Sequence, residues 1–202
     1  MKTEGTRLID AKGNTVLPGF NDPHCHPWQA GMLYEGVLIL GIDNFDDLKK
    51  IIAEAVEKAS PGEWIVGGSY IESQFVENRP PTKDVLDEVS PTTPVVLERI
   101  FGASAVNSKA LELAGITRDT PNPYNGEICK DKEGEPNGIL KGQAVLLIRQ
   151  AMDNLLGSDD FGAGEGSVEV EVYERVIKKA LSVFKTYGIT SVMEAGVSRD
   201  VE

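Results

Sequence analysis

The chain has 202 residues, 41% of them hydrophobic and 26% charged, which suits one sizeable globular domain or a core with a smaller lobe. Its formal net charge of -12, with no basic stripe, excludes nucleic acid and anionic membrane surfaces as expected partners. The apolar runs GVLILGI and AVLLI are far too short to span a bilayer, the start MKTEGTRLIDAKGN has no apolar leader core, and two cysteines make no disulfide framework, so a reducing, cytoplasmic compartment is expected.

In chain order, RLIDAKGNTVLPG reads as strand, turn, strand, with the turn at Lys12-Gly13-Asn14 and the second strand running on towards NDPHCH. DNFDDLKKIIAEAVEKASPG is the clearest helix. Leu48, Ile51, Ile52, Ala55 and Ala59 recur at helical spacing, acids open it, and Ser60-Pro61-Gly62 stops it. EWIVGGSY reads as a buried strand, PPTKDVLDEVSP as a short helix capped by Thr82, and PVVLERI as another strand. NSKALELAG is a short helix with Asn107 as its cap and Gly115 just past its end. TPNPYNGEICKDKEGEPNG is loop and hairpin. GILKGQAVLLIRQAMDNLL places Leu140, Ala144, Leu147, Ile148, Ala151 and Leu155 on one helical face. GSDDFGAGEGS is a linker, because GAGEG follows no strand and lacks the Lys-Ser/Thr of a phosphate loop. The helix VEVYERVIKKALSVFKTYG then stops at Gly188 and runs straight into the β-branched strand ITSVMEAGV, the αβ half of a βαβ unit.

Both histidines lie in LPGFNDPHCHPW, Leu17 to Trp28, as His24 and His26 with Cys25 between them. Side chains alternate along a strand, so the two imidazoles share a face and Cys25 points away as a packing residue. Histidines spaced i, i+2 on a strand bring two nitrogens onto one ion at about 2.0–2.1 Å each. Asp22 shares their face, either as a further ligand or as an acceptor that fixes a histidine tautomer. A bare His-x-His is more often a pair of surface or core histidines. A strand, a Pro-Gly kink and Asp-x-His-x-His together form a much more specific pattern.

VLPGFNDPHCHP resembles the first-strand motif of the amidohydrolase superfamily, of the form PGFxDxHxH. The run from GEWIVGGSY to AGIT, NGEICKDKEGEPNGIL and YGITSVMEAGV resemble the lobe and next strand of its amidohydrolase-3 (YtcJ-like) group, so the likeness extends from about Asp10 to Val197. The resemblance implies a metal-dependent hydrolase on a (β/α)8 barrel with a small β-domain. Such an enzyme acts on small molecules at carbon–nitrogen bonds other than peptide bonds. It implies His24 and His26 as ligands of a divalent metal, zinc being the first candidate. The fold class expected is α/β: a partial TIM barrel of first strands, with an inserted α+β lobe and a remnant of a small β-domain. Residues 1–17 are the remnant, 18–29 the first barrel strand and metal motif, 30–164 the lobe, and 165–202 a helix and second barrel strand.

Only two barrel strands and no third histidine are visible, so the chain reads as the front portion of a family member, a fragment. It is either part of a hydrolase, a truncated non-catalytic chain, or a chain completed by another polypeptide. An open barrel edge would favour homo-oligomers. Glu194, at the end of the second barrel strand, is a carboxylate candidate beside Asp22. Lys141 reads as a surface lysine on a helix and Cys129 as a packing residue. Glu98 and Arg99 either line the mouth of the lobe or pair with each other. Relatives generally carry a Gly-His pair in the stretch FGASAVNS, where this chain has Ala103, and often an acid after GIL-x, where it has Gly142.

Overall fold

The computed structural model describes residues 3–100, 102–156 and 170–196. The first half of the chain runs β1 (Phe20–Cys25), α1 (Pro27–Glu35), β2 (Val37–Leu38), α2 (Phe45–Lys58), β3 (Ile65–Tyr70), α3 (Lys83–Asp87) and β4 (Val95–Arg99). The second half runs β5 (Ala103–Val106), α4 (Ser108–Leu113), β6 (Gly126–Lys130), β7 (Pro136–Gly142), α5 (Val145–Leu156), α6 (Val170–Thr186) and β8 (Ile189–Glu194).

Six strands form one mixed sheet in the order β2-β3-β4-β5-β7-β6, parallel from β2 to β4 and antiparallel beyond. Strand alternation sorts its side chains onto two faces. Val95, Leu97 and Ile139 pack with Phe45, Leu48 and Ile52 of α2 and Leu86 of α3. Val96 and Leu140 pack on the other face with Leu111 of α4 and Ile148 of α5. The lobe is therefore a three-layer unit with apolar cores on both faces, as parallel strands covered by helices require.

The helix expected around Leu48 and Ile52 forms as α2, with the Asn44 side chain accepting the Asp47 N–H at 2.8 Å and acids in its first turn. Asn107 caps α4 as expected. Thr82 stands at the cap position of α3, but its hydroxyl takes an Arg79 guanidinium proton at 2.8 Å instead of capping.

Two stretches differ from the expectation. The helix expected across GILKGQAVLLIRQAMDNLL begins only at Val145, because Pro136–Gly142 is strand β7, in a hairpin with β6. Gly138 and Gly142 have φ of 92° and 54°, outside the α-helical region. Leu140 is buried by strand alternation, opposite Ile128, and Lys141 is a strand residue across from Glu127, with their charges 2.9 Å apart. In RLIDAKGNTVLPG only the turn appears, with Asn14 N–H donating to Ala11 at 2.8 Å. The flanking residues form no strand; Leu8, Ile9, Val16 and Leu17 stay exposed, since a lone hairpin without a face to bury is marginal in water. The linker GSDDFGAGEGS and the side chain of Leu155 lie outside the described residues.

The second sheet is the parallel pair β1–β8, in register Phe20↔Ile189, Asp22↔Val192 and Cys25↔Glu194. The helix α1 that follows β1 packs on α6, which precedes β8. A Cβ at Gly31 would meet the Val176 carbonyl oxygen at 2.1 Å, so only glycine allows this approach. Trp28 and Tyr173 stack with ring centroids 4.1 Å apart, and Arg175 pairs with Glu35 at 2.9 Å. Among the described residues no helix is long and apolar enough to cross a membrane.

Candidate metal centre

Strand β1 ends at Cys25 and α1 begins at Pro27, so His26 is the helix N-cap, with φ -130° and ψ 77°. Pro27 sets this boundary: its fixed φ suits the first helical position, where its missing N–H is not needed. His24 is the strand's penultimate residue. The two rings lie edge to face, centroids 5.6 Å apart and planes at 82°. The histidines are thus adjacent, although they straddle a strand–helix junction and do not alternate along one strand.

The register Cys25↔Glu194 sets the end of β8 beside this junction. Glu194 Oε1 lies 2.8 Å from His26 Nδ1 and accepts the Gly196 N–H at 3.1 Å. Partial burial works to raise the Glu194 pKa. Hydrogen bonds from His26 and from the backbone N–H groups of Gly196 and Trp28 outweigh it, holding the carboxyl below its ordinary value. With Nδ1 bonded to a carboxylate, the available nitrogen of His26 is Nε2. The His24 ring has no hydrogen-bond partner among the described residues.

Asp22 does not reach either ring. Its Oδ1 accepts the His24 backbone N–H at 3.1 Å, an Asx-type turn that shapes the strand end around Pro23. Cys25 is half-buried and its thiol donates to the Met193 carbonyl at 3.5 Å. Burial and the charge of Asp22 push the thiol pKa up, against the Met193 contact, with Glu194 adding to the rise. The thiol's contact is with β8 inside the same sheet, not with a layer covering it, and Cys25 is only partly buried.

Among the described residues no three or more His, Cys, Asp or Glu side chains gather into a metal-holding group. What they offer an ion is two imidazoles, one of them anchored by a carboxylate. That donor chemistry fits a borderline divalent metal, and a carboxylate behind a ligating histidine is the usual supporting contact.

The other candidates are dispersed. Glu98 and Arg99 do not pair with each other, because neighbours on a strand point to opposite faces. Glu98 bonds Arg149 at 3.0 Å, and Arg99 Nε bonds both oxygens of Glu72 at 2.8 and 2.9 Å. Ala103 is buried in β5, and Cys129 is half-buried beside Lys141 and Glu127, its thiol pKa raised chiefly by burial. Helix α1 and its stacking residue Trp28 are not among the elements expected from the sequence, although Pro27 ahead of WQAGMLYE is a helix-start signal.

A parallel strand pair with histidines at its C-terminal end stands beside a mixed α/β sheet, and this fold resembles solved metal-dependent hydrolases. An uncharacterized metal-dependent hydrolase from Pyrococcus horikoshii OT3 superposes with a TM-score of 0.52 at 25% identity, over 93% of this chain and 33% of that one. The chain belongs to the Amidohydrolase family, in its amidohydrolase-3 group, whose model matches residues 7–201. It is similar to the N-substituted formamide deformylase of Arthrobacter pascens, 32% identical over 95% of this chain and 34% of the relative. It is also similar to the putative amidohydrolase YtcJ of Bacillus subtilis, 36% identical over 73% of this chain and 28% of the relative. Protein LONG AFTER FAR-RED 3 of Arabidopsis thaliana is 30% identical over 96% of this chain and 31% of its own length. The chain spans about a third of the length of the curated relatives it matches.

Proposed function

We propose that the chain supplies the first ligand pair of a metal-dependent amidohydrolase that acts on small molecules at non-peptide carbon–nitrogen bonds. His24 and Nε2 of His26 would hold the divalent metal, with zinc the first candidate. The observation that carries this reading is the 2.8 Å contact of His26 Nδ1 with Glu194, which fixes the tautomer that leaves Nε2 for an ion next to His24. When bound, the metal supplies Lewis-acid polarisation of the scissile carbonyl and a water of lowered pKa. Glu194 accepts the Nδ1 proton and holds the imidazole orientation. Asp22 fixes the backbone turn that carries His24.

The proposal extends to architecture. β1 and β8 read as the first two strands of a (β/α)8 barrel, with residues 30–164 as a lobe inserted between them and residues 1–17 as a remnant of a small β-domain. The parallel pairing of β1 with β8, each strand flanked by a helix, supports this. The histidines then stand at the C-terminal strand ends, where barrel chemistry sits.

The test is metal content per chain after purification without chelator or affinity metal, beside His24→Ala/His26→Ala. Near-stoichiometric metal lost in the double variant is expected, together with hydrolysis of N-formyl or N-acyl model amides that the variant abolishes. A second reading is favoured by the ligand count: two imidazoles close no site unaided, so the chain is non-catalytic or works with another polypeptide. Metal retained with no hydrolysis supports that reading, and no metal in either protein refutes the first.

A further inference from the structure

A cavity of about 180 Å³ lies between α1 and the C-terminal ends of β3 and β4. Trp28, Met32, Leu33 and Val66 give it apolar walls, while Ser69 and the Glu98–Arg149 pair give it one polar side. It is partly open to solvent, and its volume is close to that of an enclosed engineered cavity of about 150 Å³ that takes up benzene, so there is room for a single ring or a short branched chain.

The polar side is a built feature. Gly68 pairs with Glu98 and Tyr70 with Arg99, which leaves Ser69 as an extra residue, a bulge in β3. Ser69 has φ 70°, a left-handed conformation that a non-glycine residue adopts at a cost. Bulges re-aim side chains, and this one puts a serine on the cavity wall. Among the described residues the Ser69 hydroxyl has no hydrogen-bond partner, and Glu98 uses only Oε1, on Arg149. A serine hydroxyl and one carboxylate oxygen are therefore left for a ligand. Arg149 cancels the charge of Glu98 across the 3.0 Å contact, so the wall suits an uncharged group that donates a hydrogen bond.

We propose that this cavity binds an uncharged, ring-sized apolar group tipped with a hydroxyl or N–H donor, received by Ser69 and Glu98. Resting on the hydrolase reading, it would be a specificity pocket for one substituent of the substrate. The helix that His26 caps supplies Trp28 and Gln29 to the cavity wall from its first turn.

The test is an NMR titration of the protein with benzene, phenol and benzoate in the presence of EDTA. Phenol should bind at least threefold tighter than benzene, and benzoate weakest. Leu33→Trp, which enlarges a side chain lining the cavity, should abolish binding of all three. Ser69→Gly should relieve the left-handed strain and raise the melting temperature, yet reduce phenol to the affinity of benzene. A serine with a merely structural role would give the stability gain with the phenol preference intact. Repeating the titration with zinc in place of EDTA should leave every affinity unchanged, so loss of the metal reading would not touch the cavity. Equal affinities for the three probes, no binding, or binding that survives Leu33→Trp would overturn the proposal. Competitive inhibition of amide hydrolysis by phenol is expected only if both readings hold.

Discussion

Asn107 is the residue whose removal should unfold the lobe most effectively for its size. It is fully buried between β4, α4 and the turn before β4. Its Oδ1 accepts the backbone N–H groups of Val95 and Ala110, each at 3.0 Å. Its Nδ2 donates to the carbonyls of Ser90 at 2.6 Å and Thr93 at 2.8 Å. Truncation to alanine deletes all four bonds; the Thr93 carbonyl keeps the Ser90 hydroxyl at 2.6 Å, while the Val95 and Ala110 N–H groups and the Ser90 carbonyl lose the Asn107 partner. At about 1 kcal/mol per bond, Asn107→Ala should cost about 4 kcal/mol. For a chain of this length that lowers the melting temperature by roughly 8–16 °C. Urea unfolding followed by circular dichroism gives the same quantity independently. Asn107→Asp is the sharper control: it keeps both accepted bonds but turns a carboxylate onto two carbonyl oxygens. Its folded-state pKa is raised, so its deficit should shrink as pH falls through that value, when the protonated carboxyl can donate again. A loss under about 1 kcal/mol for Asn107→Ala, or an Asn107→Asp variant as stable as wild type at neutral pH, would show that water replaces these bonds and refute the reasoning.

Three further outcomes are expected. Glu194→Gln should weaken metal binding about 10–100-fold in a competition assay while His24→Ala abolishes it; equal effects would make Glu194 a ligand and not a support. Gly31→Ala drives a methyl against the Val176 carbonyl, 2.1 Å from the ideal Cβ, and should destabilise the α1–α6 contact by about 1–3 kcal/mol, read as loss of amide-exchange protection in α1. Glu72 is held below its ordinary pKa chiefly by its hydrogen bond from Arg99, against a smaller rise from burial. A depressed folded-state carboxylate stabilises above its unfolded pKa of about 4.3 and loses that contribution as pH falls through the folded value, so Glu72→Gln should flatten the stability–pH curve below that point. Both side chains are about a third exposed, at 32% for Glu72 and 28% for Arg99, so the effect stays within about 1 kcal/mol.

The fold was legible where local chemistry decided it. In α2 the apolar spacing, the first-turn acids and the Ser-Pro-Gly stop all agree, and helix and boundaries came out together. In NSKALELAG the cap was readable from Asn107, but its bonds to Val95, Ser90 and Thr93 were not, because they depend on where β4 and its preceding turn lie. The stretch from Pro136 to Leu156 failed for an instructive reason. Leu140 and Ala144 stand four apart, a spacing that suits a helix, while burial of Ile139 and Leu140 on opposite faces of a strand needs the β6 partner that only the fold supplies.

The candidate site divides along the same line. His24 and His26 were readable because they are two residues apart and framed by Asp22 and Pro27. Their shared face was inferred from strand alternation, yet the strand ends between them, and their adjacency is kept by the N-cap geometry of His26. Glu194 could be named only as a carboxylate at a strand end. Its contact with His26 spans 168 residues and exists because β1 and β8 pair in the register Cys25↔Glu194. A slip of one residue in that register would turn Glu194 to the opposite face and set Met193 beside the histidines. The support for His26 is therefore a property of the pairing between strands, and the whole lobe from β2 to α5 lies in sequence between the two groups that make it. Anything that loosens β1 from β8 should release the His26 tautomer before it disturbs the lobe.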